Sequence, residues 1–114
     1  MNENLLKGSC EACRIDAPKV TNSEIESLMP QIPSWSILEN DDIKRLVCSF
    51  AFLDYDQTVN FANSVTKLAE EEDHHPEIII EWGKVTVSWW SHKIKGLHMN
   101  DFICAAKTLS LIHI

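Results

Sequence analysis

Basic residues are scarce in this chain. Ten Lys and Arg stand against seventeen Asp and Glu among 114 residues, a formal net charge of −7. Surfaces that hold duplex DNA or anionic lipid are built from clustered Lys and Arg, so neither is an expected partner. Long apolar runs are lacking too: none approaches the roughly 20 residues that span a bilayer. The opening Met1-Asn2-Glu3-Asn4-Leu5-Leu6-Lys7 lacks a signal-peptide layout. A cytoplasmic location, away from membrane and nucleic acid, is the expectation. A second C-x-x-C pair is absent as well. Cys10 and Cys13 have zinc or redox spacing, but Cys48 and Cys104 are isolated, so no four-sulfur site closes. The pair is read as reduced thiols in an N-terminal arm.

What is present suits one domain with a small core, since 45% of the residues are hydrophobic. Residues 1–20 show no period and read as the arm; residues 21–114 read as the domain. Ser23 with Glu26 forms a capping-box pattern for a short helix carrying Ile25 and Leu28, with Thr21 and Asn22 as weaker caps. Trp35–Leu38 and Ile43–Phe52 read as strands around the polar turn 39–42. From Asp54 or Asp56 the period becomes helical, through Val59, Ala62, Val65 and Ala69. That helix ends in four consecutive acids, Glu70 to Asp73, which oppose its dipole, and in Pro76, which cannot continue it. A last helix starts near Met99, capped by His98 or Asn100. The order α-β-β-α-β-β-α predicts an α+β fold: a four-stranded antiparallel sheet with helices packed on one face.

The stretch 70–101 carries four of the five histidines. Within it, Pro76–Trp82 and Val85–Trp90 are β-branched and aromatic runs flanking Gly83-Lys84, the length of a two-residue hairpin turn. Pairing Trp82 with Val85 sets Ile80 against Val87, Ile78 against Trp89 and His75 against His92. Opposed β-carbons are about 4.5–5.5 Å apart, so two imidazoles would share one site. The same register makes Trp82, Ile80, Ile78, Val85, Val87 and Trp89 an apolar core face. His75, Trp90 and His92 fall on the open one.

The string Glu70-x3-His74-His75-Pro76-x5-Trp82-x9-His92-x8-Asp101 resembles the signature of the pterin-4a-carbinolamine dehydratases, and the wider likeness runs over residues 22–113. His98 departs from it, where relatives often place Ser or Thr. The resemblance implies a lyase in tetrahydropterin recycling. A hydroxylase leaves its pterin as the 4a-hydroxy adduct, and the dehydratase removes water to give the quinonoid dihydropterin. It needs no cofactor or metal, because the pterin is the substrate. The residue types suit this reaction. Expelling hydroxide needs a proton donor and forming the C=N bond needs a base, and imidazole, with a free pKa of about 6.5, serves as either.

His74 and His92 are thus expected as acid and base on the hydroxyl side, with His75 binding or relaying on the opposite edge. Trp35 is expected as an aromatic wall, and Trp90 as lining a pocket or a subunit contact. Glu70 and Asp101 would orient an imidazole or close a helix start. Two other classes stay open: a zinc enzyme built on the three histidines and a carboxylate, and a protein-interaction module. Some relatives serve as dimerisation partners of a transcription factor, and bacterial relatives are linked to phenylalanine hydroxylase. A homodimer or homotetramer is expected, since an open sheet leaves two edges unpaired.

Overall fold

Alternation in two strand pairs decides the architecture. In the computed structural model, which describes residues 19–113, the chain runs through α1 (Asn22–Leu28), β1 (Ser36–Asn40), β2 (Ile43–Ala51), α2 (Tyr55–Glu72), β3 (Glu77–Glu81), β4 (Lys84–Trp89) and α3 (Met99–Ser110). The strands form one antiparallel sheet in the order β1-β2-β4-β3. This is the expected fold, with the second strand of each hairpin at the centre. On one face Leu46, Cys48 and Phe50 of β2 meet Val85, Val87 and Trp89 of β4, all buried. Helices α2 and α3 cover that face through Phe61, Val65, Leu68, Phe102 and Ile103. Burying a side chain of this kind contributes about 1.5–3 kcal/mol, so one apolar face is enough to hold the helices on one side. Burial also pushes the Cys48 thiol above its ordinary range, which makes it a packing residue rather than a reactive one. The expected arm over residues 1–20, with Cys10 and Cys13, lies almost wholly outside the described residues. Val20 is already tied down, its N–H donating to the Leu97 carbonyl at 2.9 Å.

The helix ends follow local chemistry, with one correction. Thr21, not Ser23, caps α1: its hydroxyl accepts from the Glu24 N–H while the Glu24 carboxylate accepts from the Thr21 N–H. The capping box is therefore real but begins two residues earlier. Asp54 caps α2, accepting from the Gln57 N–H at 2.8 Å. At its other end Asp73 turns left-handed at φ 52°, and the N–H groups of Asp73 and His74 close back on Glu70 and Ala69. This Schellman-type ending satisfies the last carbonyls and delivers His74 into the interior.

The second hairpin is where the sequence reading needs most correction. Glu81 pairs with Lys84 and Ile80 with Val85, so the turn is Trp82-Gly83, not Gly83-Lys84. Gly83 takes φ 77°, the left-handed region open to glycine, and its carbonyl accepts from the Phe52 N–H at 2.8 Å. The register is displaced by two residues, and since strand side chains alternate with period 2 the faces keep their identity. Trp82, however, leaves the core: it is 70% exposed at the hairpin tip, and Ile80 on edge strand β3 is 44% exposed. Replacing Trp82 with Ser should shift stability by less than about 0.5 kcal/mol in urea unfolding, as befits an exposed position. A loss of about 3 kcal/mol or more, the usual cost of truncating a buried Trp, would mean that this indole is core.

Candidate active site

The site is assembled at the end of the sheet where α2 stops, and it has a buried storey and an exposed one. The buried storey is centred on Asp101 in the first turn of α3. Its Oδ2 accepts from the His98 N–H (2.8 Å) and from the Ser91 hydroxyl (2.8 Å), while Oδ1 lies 2.6 Å from His74 Nε2. His98 returns the cap by accepting from the Asn100 N–H through Nδ1. One carboxylate therefore does both jobs expected of it, closing a helix start and orienting an imidazole. The His74 ring, 1% exposed, stacks on Trp89 at 5.5 Å between centroids and 15° between planes.

The exposed storey carries the other two histidines. His75 Nε2 lies 2.8 Å from Glu70 Oε2, at the last turn of α2, with both side chains largely in solvent. His92 Nε2 donates to the His75 backbone carbonyl at 3.1 Å. In both rings Nε2 is engaged by an oxygen, which leaves Nδ1 for other contacts. Trp90 lies against His92 with 4.4 Å between ring centroids, and the Arg45 guanidinium sits 4.0 Å over the Trp90 ring. The acid run that opposes the α2 dipole thus has partners: Glu70 holds His75, and Glu72 pairs with Lys107 of α3 at 2.7 Å.

Three expectations need revision. His75 and His92 are not cross-strand partners. Extending the observed register two residues beyond Glu77–Ser88 sets His75 level with Trp90, and the two histidines meet instead through a ring-to-carbonyl hydrogen bond. His74 does not share a surface with His92, because it turns to the helix side and is covered by α3. Trp35 is no wall for a ligand on the open face: it is 3% exposed and packs edge-on against Phe50 in the core. The aromatic surface beside the exposed histidines is Trp90. Among the described residues no cluster of three His, Cys, Asp or Glu is arranged to hold a metal. Arg45 was missed in the sequence. Its one available signal was a cation on the open face of β2, two residues before Val47 in the alternating pattern.

Residues 18–111 match the family described as pterin 4 alpha carbinolamine dehydratase. The chain belongs to this dehydratase family. Among its curated relatives, a protein of Photobacterium profundum is 55% identical over 92% of this chain and 94% of its own length. One from Nitrosococcus oceani is 53% identical over 96% and 97%. Both carry the name "Putative pterin-4-alpha-carbinolamine dehydratase". Of solved structures, the transcriptional coactivator/pterin dehydratase of Brucella melitensis superposes with TM-score 0.74 at 26% identity, covering 82% of this chain and 98% of that one. A pterin dehydratase-like protein described as a RuBisCO assembly factor in the alpha-carboxysome gives TM-score 0.58 at 25% identity, over 68% of this chain and 88% of that one. The dehydratase family match spans every element that builds the two storeys.

Proposed function

We propose that this protein removes water from a 4a-hydroxytetrahydropterin, with His75 and His92 as the proton-transfer groups. In the reaction the 4a-hydroxyl takes a proton and leaves as water, the ring nitrogen beside it loses its proton, and the C=N bond of the quinonoid dihydropterin forms. One donor and one acceptor are needed, close together and open to a flat bicyclic substrate. The observation that carries the reading is the pair itself: two exposed imidazoles joined through the His75 carbonyl, each with Nε2 occupied and Nδ1 left for exchange. Trp90, packed on His92, borders the pair with an aromatic ring. We assign His74, sealed between Trp89 and Asp101, to positioning: it anchors the backbone at which His75 begins. Chemistry of this kind needs neither metal nor cofactor.

Stopped-flow breakdown of a 4a-hydroxytetrahydropterin, generated by a hydroxylase and followed with and without the protein, tests the reading. Acceleration over the spontaneous rate supports it, and identical traces at micromolar protein sink it. On this reading the 4a-hydroxy adduct is supplied in the cytoplasm by an aromatic amino-acid hydroxylase such as phenylalanine hydroxylase. The edges of β1 and β3, unpaired among the described residues, the latter with Ile79 and Ile80 about half exposed, support self-association as a dimer or tetramer. A second reading, an interaction module, is favoured by the exposed apolar side chains Leu53, Tyr55 and Trp82. A variant lacking His75 and His92 that still restored hydroxylase levels in cells would select it.

A further inference from the structure

Among the described residues the open face holds one cation with no hydrogen bond or ion pair. Arg45, half-buried near the start of β2 on its open face, pairs with Leu38 of β1. Its guanidinium lies 4.0 Å over the Trp90 ring, its Nε is buried without a partner, and among the described residues it makes no hydrogen bond or ion pair. A guanidinium offers five N–H donors in a fixed planar fork and cannot shed its charge. Stacking on the indole restricts the side chain, so little freedom remains to be lost when a ligand takes the donors. A guanidinium held over Trp90, the ring that packs on His92, with its Nε buried and unpartnered, is a group placed to meet an oxygen.

We propose that Arg45 is a substrate-binding and specificity residue, donating to the ring carbonyl oxygen of the pterin whose bicycle lies along Trp90. This rests on the dehydratase reading above and deepens it by naming the substrate edge that is recognised. The pyrimidinone edge of a pterin presents a carbonyl acceptor. A 2,4-diaminopteridine presents an amino group at the same place, which is a donor and would confront the guanidinium donors. A site built to hydrogen-bond one group rejects the analogue that lacks it, because the fork is then left unpaired. Arg45 would thus select 4-oxo over 4-amino pteridines. Lysine would keep the charge but lose both the fork and the stack.

The test measures binding of a 4-oxo dihydropterin and of the matching 2,4-diaminopteridine to the wild-type protein, Arg45→Leu and Arg45→Lys, with turnover assayed on the same preparations. A hydrogen bond to a charged group predicts that Arg45→Leu weakens the 4-oxo ligand roughly tenfold to a hundredfold. The 4-amino ligand should change less than about threefold, and Arg45→Lys should fall between wild type and Leu for the 4-oxo ligand. Equal losses for both ligands would make Arg45 a prop for Trp90 and overturn the proposal, as would unchanged 4-oxo binding in Arg45→Leu. If the wild type turns over substrate normally in those cases, the dehydratase reading stands and only this inference falls. A wild-type protein that neither turns over nor binds the 4-oxo ligand overturns both.

Discussion

Replacing Asp101 with Ala should lower the unfolding free energy by about 3–5 kcal/mol, read as a large drop in the urea midpoint, because the change takes the shared acceptor away from a buried set of donors. The carboxylate is fully buried and receives three donors: His74 Nε2–H, the Ser91 hydroxyl and the His98 N–H. Removing it strands all three away from water, and each orphaned buried polar group costs about 1–3 kcal/mol. Against a total stability of about 5–15 kcal/mol this is a large fraction. Asp101→Asn should cost less, since one amide oxygen still accepts while the NH2 faces a donor. A loss below about 1 kcal/mol in the Ala variant, less than one orphaned group costs, would show that the node does not organise the end of the sheet. The helix start would then be held by something else.

The second large effect is on rate. His92 is exposed and, among the described residues, its ring makes one hydrogen bond, to the His75 carbonyl. His92→Ala should therefore leave stability within about 0.5 kcal/mol. If His92 carries one of the two proton transfers, turnover should fall by roughly 10²–10⁴-fold, the usual worth of a positioned acid or base. The double variant with His75→Ala should lose little more than the worse single one, because groups acting as a unit are not additive in their effects. The measurement is kcat for 4a-hydroxypterin breakdown beside a urea curve for each variant. An unchanged rate removes His92 from the chemistry. A reduced rate accompanied by lost stability would assign it a structural role instead.

Much of this was legible from the residues. Alternation along Leu46–Phe50 and Val85–Trp89 specified which side of the sheet is core, and did so even with the hairpin register displaced by two residues, because the displacement was even. Asp54 and Pro76 marked helix ends through local chemistry, whereas the first helix is capped at Thr21, two residues before the expected Ser23. The spacing from Glu70 to Asp101 carried the family. What went astray was non-local. Gly83 occupies the second turn position because that is where the left-handed backbone falls and where its carbonyl meets Phe52, far earlier in the chain at the end of β2. Trp82, apolar and in phase with the core, is exposed because the turn places it at the tip.

By itself, then, the sequence determined the two faces of the sheet, the order of its elements and the set of imidazoles and carboxylates available for proton chemistry, since all of these follow from period, caps and residue type. Only the tertiary structure decided which imidazole is sealed and which are open. His74 and His75 are adjacent and chemically identical, but α3 brings Asp101, 27 residues away, onto one of them and leaves the other to Glu70 and solvent. Burial is set by what packs on a residue, and for this pair the packing element lies beyond the reach of any local pattern.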